Sequence, residues 1–198
     1  MNRDDALRLV RERLEESARI LTRIAGEQAE FVVEAARRID ESLRAGGTLY
    51  TCGNGGSAAD AQHIAAELSG RFYLERPGLA AIALSVNTSA LTAIGNDYSF
   101  AEVFSRQLAG TARKGDVLLA ITTSGGSANV LRAVKTARDK EMTVLGLTGA
   151  RGREFAGACD LALIVPSEDT ARIQEAHIAA GHLVCHLVEA ARFGGGKA

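Results

Sequence analysis

His63 and Glu67 stand four residues apart in the run Ala58 to Leu68, whose spacing of apolar side chains predicts a helix. On such a helix they share one face, roughly 6 Å apart, and can meet at one ligand. An imidazole and a carboxylate so placed can hold a metal, move a proton, or simply pair with each other at the surface. Toward the C terminus, the segment Arg172 to His186 carries three of the four histidines of the chain, and His182 and His186 repeat the four-residue spacing. A metal could use that pair. Histidines in an otherwise apolar helix are more often packed and hydrogen-bonded than ligating.

Two further constellations are rich in glycine and serine. The run Gly47 to Ala58 is echoed by Gly115 to Ala128: each reads as a β-type stretch, a Gly-Gly-Ser-Ala turn and a helical pattern. A turn from a parallel strand into a helix leaves unpaired N–H groups at the positive end of the helix dipole, where an anion is favoured. Phosphate suits such a place. The glycines allow close approach, while Ser57, Thr123, Ser124 and Ser127 add neutral donors. One such loop could be no more than a helix cap; two of one design favour a ligand. Neither loop is a nucleotide fingerprint. GxxxxGK[ST] is absent, and Gly53 to Ala58 fails GxGxxG because Ala58 stands at its last glycine. A small phosphorylated molecule is expected rather than NAD or ATP.

The elements that must position these residues follow from the texture of the chain. Residues 4–45 are charged, with Gly26 their one glycine before the end, and predict two helices. In the first, Leu7, Val10, Leu14, Leu21 and Ile24 form a narrow stripe suited to another helix, in the same subunit or in a second one. After Gly46-Gly47 strands alternate with helices, as in a parallel sheet. Strands are expected at 48–52, 80–86, 116–122, 143–148 and 161–165. Helices are expected at 58–68, 100–113, 128–140 and 170–193, with a helical turn at 89–94. The fold class is therefore α/β, a three-layer sandwich with a central parallel sheet of about five strands preceded by N-terminal helices. Residues 1–45 form a helical segment and 46–198 one compact unit, whose Gly194–Gly196 end is expected to fray.

Composition narrows the function further. With 198 residues and 46% apolar side chains the chain builds one full core, and a second large domain is not expected. A formal net charge of −1, with both signs interspersed, provides no field for nucleic acid or an anionic membrane. Cys52, Cys159 and Cys185 are odd in number and far apart, and read as reduced thiols. The N terminus lacks an apolar signal core, and no apolar run approaches the roughly 20 residues of a membrane span, so a cytoplasmic location is expected.

Four runs carry a family resemblance: Gly53 to His63, Leu91 to Asp97, Thr123 to Ser127 and Arg172 to His177. In this order, and across nearly the whole chain, they resemble the phosphoheptose isomerases, also called sedoheptulose 7-phosphate isomerases, of the sugar isomerase (SIS) domain proteins. The resemblance implies a homotetramer with sites at subunit interfaces. It implies conversion of sedoheptulose 7-phosphate to D-glycero-D-manno-heptose 7-phosphate in heptose biosynthesis, and one Zn²⁺ per subunit. By motif position the metal residues fall on His63, Glu67, Gln174 and His182. Substrate contacts fall on Asn54, Gly55, Gly56, Asn96, Asp97, Thr122, Thr123, Ser124 and Ser127, joined by Ser57, Glu67 and Gln174. His177 and His186 match no family site residue and take the structural reading. Thr122 stands where relatives often have serine, and Gly126 where some have asparagine.

Moving a carbonyl between C1 and C2 needs a base, an acid and stabilisation of an enediolate. Glu67 is the expected base and His182 the partner acid, with Zn²⁺, Gln174 or Asp97 stabilising negative charge. A metal-bound carboxylate is a weaker base, so the ligand role of Glu67 is expected to belong to the resting state. On a straight helix Gln174 and His182 are separated by about 12 Å of rise and roughly 80° of rotation, too far to share one small ion. One of them must come from another subunit, or the helix must begin after Gln174. The rival from another class is a non-catalytic relative that binds the replication initiator DnaA; that branch lacks the carboxylate and the second histidine at the positions of Glu67 and His182. A sugar-phosphate-sensing regulator would need a partner domain for which this length leaves no room. An isomerase of another sugar phosphate is the remaining alternative.

Overall fold

Short runs of branched and aliphatic residues form five strands in the computed structural model, which describes residues 1–194: β1 (Leu49–Cys52), β2 (Ala81–Ala83), β3 (Val117–Thr122), β4 (Thr143–Gly149) and β5 (Leu161–Val165). All pair in parallel, in the order β2-β1-β3-β4-β5. The central strand β3 is buried throughout because both of its faces are covered. Its side chains alternate: Val117, Leu119 and Ile121 enter one core, and Leu118 and Ala120 the other.

The helices are α1 (Arg3–Glu27), α2 (Ala29–Arg44), α3 (Gly56–Ser69), α4 (Thr88–Asp97), α5 (Ser105–Thr111), α6 (Ala128–Asp139), α7 (Arg153–Gly157) and α8 (Thr170–Phe193). The first core gathers α2, α3 and α8 with the end of α1, and the second gathers α5, α6 and α7. This is the expected three-layer α/β sandwich.

The strand order has a consequence for the site. From β1 the chain crosses toward β2 on one side, and from β3 it crosses toward β4 on the other, although β1 and β3 are neighbours. The C-terminal ends of β1 and β3 therefore flank a topological switch point, where open α/β sheets take their ligands. Both glycine-serine loops emerge there.

Several boundaries differ from expectation. The helix expected over 100–113 is a 3₁₀ turn at Phe100–Glu102 followed by α5, because Val103 and Phe104 turn inward and are buried at the break. The second strand is cut to three residues at the sheet edge, where Asn87 starts α4 by accepting a hydrogen bond from the Ala90 N–H at 3.0 Å. The short helix α7 was not foreseen; buried Phe155 anchors it. Helix α3 starts at Gly56, two residues early, and α8 runs unbroken from Thr170, so it does not begin after Gln174. Of the apolar stripe on α1 only Ile24 is buried, while Leu14 is 67% exposed. The part of the expected frayed end at 195–196 lies outside the described residues. Among the described residues no helix is long and apolar enough to cross a membrane.

Candidate active site

Helices α3 and α8 lie side by side in the first core, and their contact creates the centre of the site. At Gly181 an added Cβ would meet Ile64 Cδ1 at 2.6 Å, so only glycine permits this approach. The next residue, His182, thereby reaches α3: its Nε2 lies 2.9 Å from His63 Nε2. His63 Nε2 is also 3.1 Å from Glu67 Oε1, one turn further along α3. The ligand atoms of His63, Glu67 and His182 all lie within 4.8 Å of one another. Two nitrogens on a tetrahedral zinc, each about 2.0–2.1 Å from the ion, stand about 3.3 Å apart, so the donor set and its spacing fit a divalent cation. Without a cation, two imidazole nitrogens at this distance need a proton between them.

The C-terminal end of α3 is fixed by a buried ion pair. Arg76 Nε donates to Glu189 Oε1 at 3.0 Å, with both side chains 1% exposed. Glu189 also accepts from the backbone N–H groups of Phe72, Tyr73 and Leu74, and these bonds with the guanidinium hold its carboxyl below the usual range against the opposing effect of burial. Arg76 in turn donates to the carbonyl oxygens of Glu67, Leu68, Gly70 and Pro77. Carbonyls that a helix end leaves unpaired are thus satisfied at the residue that carries the carboxylate. The same loop sets Phe72 against His182, with ring centroids 5.9 Å apart, and Tyr73 against His186 at 5.0 Å.

At the switch point both loops leave helix N-termini open. Neither Gly55 nor Ser127, the residues preceding α3 and α6, caps its helix with a side chain, as is also the case for α2, α5 and α7, while Asn2, Asn87 and Asp169 cap α1, α4 and α8. Gly55 has φ +56° and Gly125 φ +75°, a left-handed region that L side chains enter at a cost. Ser127 Oγ instead lies 3.1 Å from Thr122 Oγ1, which accepts from the Gly125 N–H at 3.2 Å. Thr123 and Ser124 continue the rim of this loop toward Arg151, Ser167 and Thr170. Ser57 is buried in the first turn of α3.

Gln174 sits at the head of α3: a Cβ on Gly56 would collide with its side-chain amide. His63 lies seven residues along that helix, about 10 Å away. Within one chain Gln174 therefore stands apart from the His63, Glu67 and His182 group. Asn96 donates to Asp97 Oδ1 at 2.9 Å on the exposed last turn of α4, and among the described residues no hydrogen bond ties either one to that group. His186 lines an apolar groove of about 460 Å³ between α1, α2 and α8 with Leu21, Val33, Leu183 and Leu187. His177 is wholly buried, neither ring nitrogen makes a hydrogen bond of full geometry among the described residues, and burial pushes it down to about 4 against the opposing pull of the Thr148 backbone. Burial pushes the Cys52 and Cys185 thiols up to about 12, which leaves no thiolate nucleophile there.

Sequence reasoning missed four residues that shape this site. Gly181 had a signal, a lone glycine inside a helical run. So did Glu189, a carboxylate amid the apolar residues of α8. Asp60, which burial pushes up to about 6 against the pull of His63, and Arg76 gave none.

Known proteins resemble this chain in sequence and in fold. Residues 14–149 match the SIS domain family model. The chain is 57% identical over 164 residues to a phosphoheptose isomerase of Rhodospirillum rubrum, covering 83% of this chain and 87% of the relative. It is similar in structure to the phosphoheptose isomerase of Neisseria gonorrhoeae, with a TM-score of 0.88 and 45% identity over 93% of this chain and 99% of that one. The corresponding enzyme of Francisella tularensis gives a TM-score of 0.89 at 38% identity, covering 92% of this chain and 97% of that one.

Proposed function

The chain belongs to the phosphoheptose isomerases of the SIS domain family, and from that premise we propose that it converts sedoheptulose 7-phosphate to D-glycero-D-manno-heptose 7-phosphate in heptose biosynthesis. The observation that carries this reading is the meeting of His63, Glu67 and His182 across α3 and α8, about 10 Å along α3 from the first of two loops that carry no side-chain helix cap. A phosphosugar binder needs only the loops. An aldose-ketose isomerase also needs a base and an acid within reach of one substrate.

Glu67 is the base. Its carboxylate takes a proton from C1 of the ketose, and the electron pair forms the C1–C2 double bond of the enediolate as charge moves onto the C2 oxygen. His182 gives that oxygen a proton and accepts one from the C1 hydroxyl. Return of the proton to C2 yields the aldose. The loops around Ser57 and Thr122–Ser127 hold the phosphate through backbone N–H groups and hydroxyls, so binding at the far end of the sugar orients the reacting carbons. Asn96, Asp97 and the backbone at Asn54–Gly56 complete the substrate contacts.

His63, Glu67 and His182 would hold one Zn²⁺ ion per subunit in the resting state, where it would polarise a bound oxygen; a side chain bound to it is not free to move a proton, so Glu67 and His182 act as base and acid when released from it. Gln174, at the head of its own α3, serves as a fourth ligand only to a site in another subunit. That need, the exposed stripe of α1 and the apolar groove beside α8 support a homotetramer with sites at subunit interfaces. The balanced charge and the phosphorylated substrate are in keeping with a cytoplasmic enzyme.

The reading is tested by incubating purified protein with sedoheptulose 7-phosphate, following aldose formation, with Glu67→Gln and His182→Ala alongside. Each substitution is expected to lower kcat by about 10²–10⁴-fold. Activity unaffected by both would refute it.

A further inference from the structure

Asn54 and Asn129 form a reciprocal amide pair. Asn54 Nδ2 donates to Asn129 Oδ1 at 2.8 Å, and Asn129 Nδ2 donates to Asn54 Oδ1 at 2.8 Å. Asn129 is 2% exposed, and its Oδ1 also accepts from the Val130 N–H at 3.0 Å. Turning either amide over would set oxygen against oxygen and nitrogen against nitrogen, so each side chain fixes the other.

The place of this pair gives it meaning. Asn54 lies in the loop after β1, and Asn129 is the second residue of α6, after β3. The parallel pairing of β1 with β3 ends at Cys52 and Ala120. Beyond that register the two chains part, and α3 and α6 pack into different cores. Among the described residues the asparagine pair is the one side-chain hydrogen-bonded link between the two loops. It spans the switch point where both helix N-termini are left open.

We propose that Asn129 is a positioning residue: through Asn54 it sets the separation of the two loops so that both can address one phosphorylated substrate. The proposal rests on the reading that these loops hold the substrate. On this view the amide of Asn54 is engaged by Asn129 and acts on the sugar phosphate through loop spacing. Loss of the link leaves the catalytic group on α3 and α8 intact and loosens the grip on substrate.

The test is a double-mutant cycle of Asn54→Ala, Asn129→Ala and the pair, with KM and kcat for the sugar phosphate, the dissociation constant for inorganic phosphate, and the thermal midpoint of each protein. Asn129→Ala is expected to raise KM and weaken phosphate binding by about tenfold, with kcat within about threefold of wild type. Asn54→Ala should match it, and the double variant should be no worse than either single one, since one link is lost in each case. Unchanged KM and phosphate affinity in folded variants would overturn the proposal, as would additive effects or a change in thermal midpoint alone. Should Asn129→Ala fail to fold, the near-isosteric Asn129→Asp decides, because it keeps the acceptor for the Val130 N–H and loses only the donor to Asn54. Wild type that binds neither phosphate nor sugar phosphate would refute the underlying reading instead.

Discussion

His63 and His182, 119 residues apart in the chain, face each other through their Nε2 atoms at 2.9 Å. The contact exists because α8 presses on α3 where Gly181 meets Ile64. With Glu67 alongside, the pair turns two helices into a site for a cation and for proton transfer.

His63→Ala and His182→Ala should each weaken zinc binding by at least about 10-fold, since loss of a ligand costs no less than loss of its supporting partner. Titration of metal-free protein with Zn²⁺ measures this. Equal affinity in wild type and both variants would show that the cluster is not a metal site.

Gly181→Ala should push α8 away from α3, because the added methyl meets a side chain at 2.6 Å. A loss of about 1–3 kcal/mol in stability is expected from overpacking, together with lower zinc affinity as His182 moves. Adding Ile64→Val, which removes the Cδ1 methyl in the way, should recover part of both. Denaturant unfolding and metal titration check it; no recovery in the double variant would place the cause elsewhere.

Glu189→Gln leaves the Arg76 guanidinium buried without a counter-charge. Breaking such a pair costs about 3–5 kcal/mol, and the change should appear in the urea midpoint. Because Arg76 also binds the Glu67 carbonyl oxygen at 2.8 Å, the variant should lose activity at temperatures where it is still folded. A midpoint unchanged from wild type would contradict the structural role of the pair.

His177 supplies a pH dependence. Its folded value of about 4 lies below the ordinary 6.5 because burial disfavours the charged ring. Between these values the unfolded chain binds the extra proton, so its contribution is fully present above pH 6.5 and is lost as pH falls toward 4. The loss is about 3 kcal/mol when complete. Unfolding free energy measured across this range should fall less steeply in His177→Gln; equal slopes would rule out His177 as the source.

The sheet, its helices and the two loops were legible because short β-type runs alternate with helical patterns, glycines bound the β1 and β3 runs, and the Gly-Gly-Ser-Ala turn occurs twice. The four-residue spacing likewise paired His63 with Glu67. What did not show was the partner choice of long-range contacts. Nothing in the spacing of Arg76 and Glu189 says that they meet, since a buried ion pair depends on how loops fold back over a helix. Asn129 reads as a helix-start residue until β1 and β3 are known to be neighbours. The break at Val103 and Phe104 was hidden because burying two side chains overrode a continuous helical pattern. Helix arithmetic did find that Gln174 and His182 cannot share one ion, and the structure puts Gln174 beside Gly56.

The most direct test of the isomerase assignment is turnover of sedoheptulose 7-phosphate in D₂O, followed by NMR, with wild type and Glu67→Gln. A proton taken up by Glu67 can exchange with solvent before it returns, so the expected product is D-glycero-D-manno-heptose 7-phosphate carrying deuterium at C2, and the variant should form almost none. Absence of aldose with wild type, or equal turnover by the variant, would contradict the assignment.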